Sequence, residues 1–502
     1  MTLSSGKVRE SSDLNIFWMK RDASKSLKLS YHSQLQMASD VEAMEADREE
    51  DVNEEEQDEE FVDDDDDDEE EEDDEEEEDE GNEKKSPEGS SCDPRVFLPG
   101  DPLAVDETLE RDESAYVMYH QAQTGAPCLS FDVIRDPLGE DRTGFPMTMF
   151  LVAGTQADSA HANRIMVFKM SNLNPQQKDA EEESDGEGSD SDDCEDKKAQ
   201  MDTALVPHYG GINRIRVTQF GEVALAATWS EKGRVDLWDL SPQLGALKSA
   251  KALADFVRKE QARVCPVYTF IGHLTEGFAL DWSPTVPGRL LSGDCKKNIH
   301  LWNPLEGGDW LVDQRPYVGH SQSVEDIQWS PNEASVFSSC SVDASVRIWD
   351  TRAPPGRACM LVVEKAHSAD VNVISWNRME PFLLSGGDDG LLKVWDLRRF
   401  KSGEPVASFK QHSAPITSVE WHPGDGSVFA ASGADNLVTQ WDLAVEAEGA
   451  EAEGLHQNLP PQLLFLHQGQ TDVKELHWHP QCPGVLISTA LSGFDVFRTI
   501  SV

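Results

Sequence analysis

The sequence predicts an all-β fold: a seven-bladed β-propeller with a preceding N-terminal helix and long disordered acidic segments. Three observations predict it. Trp302, Trp349, Trp395 and Trp441 recur at intervals of 47, 46 and 46 residues, each closing a short strand such as Val346-Arg-Ile-Trp349. A second series, Trp282, Trp329, Trp376 and Trp421, runs in step, and Pro284, Pro331 and Pro423 end three of its strands because proline has no N–H for a ladder. Between Glu49 and Glu80 stand 27 acidic residues and no Lys or Arg. That run has almost nothing apolar to bury and repels itself, so it stays unfolded.

Taken in chain order, residues 1–94 form a disordered region that carries the polyacidic tract 49–80. Met1 to Asp40 lacks the apolar core and small-residue cleavage site of a secretory signal and has no assigned role. The propeller is expected over 95–502. Its leading helix, about 107–123, is read from Leu109, Tyr116 and Tyr119, which helical spacing places on one stripe. Leu129–Val133, Phe150–Gly154 and Ile165–Phe168 then give three strands of a first blade. Asp179 to Asp196 adds eleven carboxylates without a basic residue, a disordered loop (172–200) expected between blades one and two. A second blade ends in Val235-Asp-Leu-Trp238-Asp239.

Four units follow, in which His273, His320, His367 and His412 stand near the start and the first tryptophan series near the end. This period with His and Trp-Asp at fixed places is that of WD repeats, four strands per blade. Asp343, Asp389 and Asp435 precede their Trp by six positions, in a tight turn where each carboxylate can bond the turn amides and the His of its own repeat. Lys296 occupies that place in the Trp302 unit, which is therefore expected to lack the bond. The last blade keeps His467 and Trp478 and ends in Phe497, with an acidic loop (444–462) before it. Closing the ring removes exposed edges, and Arg95-Val-Phe-Leu98 is assigned as the strand that closes it.

Composition bounds function. The formal charge is −52, of which the two acidic tracts leave about −14 for the rest. Such a surface lacks the Lys/Arg needed to displace phosphate counterions and favours basic proteins over sequence-specific nucleic acid. No apolar run reaches roughly 18 residues, so no membrane span is expected. The eight cysteines are scattered without a C-x-x-C, against both a disulfide framework and a Cys-based zinc site. P-loop, H-E-x-x-H and G-x-S-x-G motifs are missing, so no catalytic residue, cofactor or metal is expected.

From about 96 to 502 the chain resembles the glutamate-rich WD repeat-containing family. The resemblance is carried by Tyr119-His-Gln-Ala-Gln-Thr-Gly-Ala-Pro-Cys128, Val206-Pro-His-Tyr-Gly-Gly-Ile-Asn213 and Leu486-Ile-Ser-Thr-Ala-Leu-Ser-Gly-Phe494. More distantly it resembles the retinoblastoma-binding histone chaperones, in Gly272 to Trp282, Asp370 to Val373 and Pro460 to Phe465. The resemblance implies a chaperone or scaffold for core histones and a large-subunit ribosomal protein, acting in ribosome biogenesis in the nucleus and nucleolus.

It also implies two binding surfaces. In a groove beside the last blade, Glu446, Glu448, Glu451 and Glu453 would cap Arg or Lys of a bound helix above Leu463, Leu464 and Phe465, opposite Leu109, Tyr116 and Tyr119. The alternative is a solvated acidic loop over a packed strand. At the channel mouth, Asn213, Glu276, Phe278, Glu325 and Asn372 would hold a basic tail, although Gly211 and Pro415 stand where those chaperones carry acids; the alternative is ordinary polar rim. Trp349-Asp-Thr-Arg352 and Trp395-Asp-Leu-Arg398 resemble the box that substrate receptors present to the adaptor of cullin-RING ubiquitin ligases, making Arg352 and Arg398 adaptor candidates. Ser184, Ser189 and Ser191 lie among Asp and Glu in a context suited to acidophilic kinases.

Overall fold

The computed structural model describes residues 20–22, 108–176, 198–259, 261–445 and 459–502. The chain falls into two compact units, Met19–Arg111 and the remainder, which includes Asp112–Val502. In the first, Lys20–Asp22 pairs antiparallel with Thr108–Glu110. The second is a propeller of seven four-stranded antiparallel sheets.

Blade 1 runs Cys128–Ile134, Met147–Thr155, Arg164–Leu173 and Gln200–Pro207. Blades 2 to 6 follow in sequence, and their innermost strands begin at Ile212, Ala279, Val324, Val371 and Ile416. Blade 7 takes Val473–Trp478, Val485–Ala490 and Gly493–Thr499 from the C-terminus and its outer strand, Tyr116–Ala122, from before blade 1.

The core lies between neighbouring sheets. Trp229, Trp302, Trp349, Trp395 and Trp441 are fully buried there, and Phe337 and Phe429 stack at 7° and 8° on Trp349 and Trp441. Because strands alternate in direction, the joins between first and second and between third and fourth strands all open on one face, here the lower. The joins between second and third strands and between blades open on the upper face.

Three expectations are corrected. The segment 107–123 is not a helix: a single 3-10 turn, Glu113–Ala115, leads into the strand Tyr116–Ala122. The aromatic and branched residues that mimicked a helical stripe suit a pleated surface, and this strand covers the edge that Gly493–Thr499 would otherwise leave open. Ring closure is thus its work; Arg95–Leu98 lies outside the described residues. The second acidic tract does not separate blades 1 and 2. It joins the third and fourth strands of blade 1, which pair along their length from Arg164↔Pro207 to Ser171↔Gln200. The α-helices among the described residues, Ser241–Ala246 and Ala250–Lys259, fill the corresponding join of blade 2. Neither is long and apolar enough to cross a membrane.

Candidate functional site

The periodic histidines are committed to the blades. In blade 4 the Trp349 indole N–H donates to Ser339 Oγ (2.8 Å), Ser339 bonds His320 Nε2 (2.6 Å), and Nδ1 bonds Asp343 at 3.1 Å. Burial holds His320 below its ordinary value, so the ring is neutral and each donor in the chain finds one acceptor. Blade 5 repeats this with Trp395, Ser385, His367 and Asp389. In blade 6 the hydroxyl crosses the ladder: Ala431 takes the serine place and its cross-strand partner Thr439 bonds both Trp441 and His412.

Blade 3 overturns the expectation of a missing bond. Asp294, two residues before Lys296, reaches His273 Nδ1 at 2.9 Å and also caps the turn amides of Lys296 and Asn298. In blade 7, His467 lies between Tyr116 Oη (2.8 Å) and Asp495 (3.1 Å) and stacks on Phe497 at 4.1 Å; Tyr119 donates to Asp495.

Around the channel, side chains of one inner strand accept main-chain N–H groups of the next. Asp281 bonds Trp329 N, Gln328 bonds Trp376 N, Ser375 bonds Trp421 N and Glu420 bonds Trp478 N. Glu475 bonds Phe131 N, which fastens blade 7 to blade 1, while its other oxygen takes Arg214 and Arg216 at 2.6 and 2.7 Å. Burial would raise this carboxyl, but the two guanidinium groups hold it well below its usual range. These staples are invisible to repeat periodicity, because each depends on which residue of the adjacent strand lies opposite.

At the upper mouth, Asn213, Phe278, Glu325 and Asn372 line one cavity of about 190 Å³, as expected. Its character is mixed. Arg214 and Lys474 also line it, Glu276 is tied to the Asn213 amide (3.0 Å) outside the lining, and Asn372 is held by Asp388 and the Ile416 carbonyl. Pro415 forms part of the wall.

The residues expected to line a groove meet in the core instead. Tyr116, Tyr119, Leu463 and Phe465 are buried, and the Tyr116 and Phe465 rings touch edge-on at 5.4 Å. Leu464 is half-buried, and Leu109 belongs to the Thr108–Glu110 strand of the other unit. Glu446, Glu448, Glu451 and Glu453 lie outside the described residues, as do Ser184, Ser189 and Ser191.

The anchor points of the acidic segments are described, and they are neighbours. Gln176, before the second tract, donates its N–H to Val117 O (2.9 Å), and Asn174 O bonds His120. Val117 belongs to the outer strand of blade 7, which the chain enters directly from the N-terminal region. On its other side, Tyr116 meets Phe465 in the outer strand of blade 6, the strand that follows the 446–453 insertion. Three acidic segments therefore join the propeller at the lower outer edge of consecutive blades 6, 7 and 1.

Arg352 and Arg398 also stand on the lower face. Each folds back on the Asp of its own Trp-Asp pair, at 2.6 Å to Asp350 and 2.8 Å to Asp396, leaving their side chains 75% and 65% exposed.

Residues 106–174 match the family model of the histone-binding protein RBBP4, a component of the CAF1 complex. Residues 313–350, 359–396 and 403–442 match the WD domain, G-beta repeat model. The chain is 44% identical to the Arabidopsis thaliana protein HEAT STRESS TOLERANT DWD 1, over 84% of this chain and 95% of the relative. It is 41% identical to ribosome assembly protein rrb1 of Schizosaccharomyces pombe, over 81% of this chain and 84% of the relative. Against the glutamate-rich WD repeat-containing protein 1 of Dictyostelium discoideum it is 43% identical, over 80% and 83%.

Proposed function

The chain belongs to the glutamate-rich WD repeat-containing family, and from that premise we propose that it is a scaffold of ribosome assembly that captures basic proteins. Core histones and a ribosomal protein of the large subunit are its cargo, and the nucleus and nucleolus its place of work. The RBBP4-type match and the ribosome assembly relative support those cargo classes. The observation that carries the reading is the convergence of three acidic segments on one edge, at anchors bonded to one another through Val117 and Tyr116. A dense run of carboxylates attracts a cation-rich partner over about a Debye length and accelerates encounter. The propeller then supplies a fixed surface at the point of capture.

Binding of purified core histones to the full chain, measured across a salt titration, tests the reading. Deleting 49–80 is expected to weaken binding at low salt and flatten its salt dependence. Unchanged affinity and slope contradict the role given to that tract.

A second reading, a substrate receptor of a cullin-RING ligase, is supported by the exposed guanidinium groups of Arg352 and Arg398. It requires that Arg352→Ala with Arg398→Ala abolish pull-down of the ligase adaptor; retention of the adaptor by the double variant sinks it.

A further inference from the structure

The lower face holds a cavity of about 350 Å³ between blades 5 and 6, apart from the channel and from the seam at Tyr116. Its floor is Phe382, stacked on Trp421 at 6.4 Å, and its apolar walls are Leu443 and Met379, the latter 57% exposed. Glu380 and Asp425, both exposed, stand among the lining residues. The walls are fixed. The Asn377 amide donates across the blade boundary to Gly426 O (2.8 Å), while its oxygen caps Met379 N and Glu380 N. Asp425 is set by bonds from Ser427 N and Oγ. Gly426 keeps the cavity open, since a Cβ there would stand 3.2 Å from that of Met379.

We infer that this cavity takes one aliphatic side chain of a basic segment, whose flanking Lys or Arg pair with Glu380 and Asp425. Charge and position commit it to that occupant. An exposed methionine and a half-buried phenylalanine form an adaptable apolar seat, and both charged lining residues are acidic. The far wall, Leu443 and Ala444, runs through Val445 straight into the 446–453 acidic insertion. A cargo drawn to that insertion is delivered to the rim of the cavity. The inference rests on the reading of basic cargo and adds what the acidic tracts lack, a preference for an apolar residue within the basic sequence.

The test uses two fluorescent Lys/Arg-rich peptides, identical except for one central leucine or glycine, titrated with the full chain. The leucine peptide is expected to bind about tenfold more tightly, the worth of burying roughly half of one such side chain. Ala444→Phe, which fills the cavity from an exposed wall position, is expected to erase the difference, and so is Met379→Ser, which strips the apolar wall. Equal binding of both peptides by the unaltered chain, or a preference that survives both substitutions, overturns the proposal. Binding common to both peptides reports only on the acidic tracts. If deleting 49–80 leaves that shared, salt-sensitive part untouched, the tract's capture role fails, whatever the leucine preference shows.

Discussion

His477 shows how the channel wall sets the pH response. Burial alone would lower its pKa, but Glu420 at 3.0 Å and Glu475 at 3.7 Å outweigh it and hold the imidazolium to about 10. A group raised in the fold stabilises fully below its unfolded value of 6.5, and the contribution fades as pH climbs towards 10. Asp281 acts in the same direction: burial pushes its carboxyl up to about 8, so its contribution is present below 3.8 and is lost as pH rises through 8. Thermal melts from pH 5 to 9 are therefore expected to fall in Tm. Asp281→Asn, whose amide oxygen still accepts Trp329 N, is expected to flatten the part of that decline below pH 8; an unaltered slope contradicts the assignment. At this scale the sequence was readable only in part. The Asp–His bonds followed from spacing, but Asp294 escaped because its carboxylate reaches the same histidine from two residues earlier in the turn.

The decisive element is the strand Tyr116–Ala122. Leu109, Tyr116 and Tyr119 fit a helical stripe as well as a strand, and a local pattern carries no information about an open edge nearly 380 residues away. Blades 3 to 6 were legible because each holds both tryptophans. Blades 1 and 7 were legible mainly by the need to complete a ring, so the element that joins them was the one misread. Its tyrosines fix the closure. Tyr116→Phe leaves His467 Nδ1 without its hydroxyl partner and is expected to cost about 1–2 kcal/mol. Removing residues 112–122 is expected to leave Gly493–Thr499 as a bare edge, giving an aggregating protein without cooperative unfolding. A monomeric truncation that melts cooperatively near the full chain's Tm contradicts this closure.

For the whole molecule, the acidic tracts gave the sign of the partner's charge but not where it lands. That came from topology. One tract was expected between blades and proved to sit within blade 1, which moves its anchor to the lower outer edge, beside the strand that receives the N-terminal region. The channel mouth opens on the opposite face, and Arg214 and Lys474 give it a mixed lining. The account thus makes a directional claim: cargo is held at the lower edge of blades 6, 7 and 1. Zero-length cross-linking of carboxylates to the lysines of bound core histones, read by mass spectrometry, tests it most directly. The account predicts links from 49–80, 179–196 and 446–453. Links confined to upper-face carboxylates such as Glu276, Glu325, Asp370 and Asp388 would contradict it.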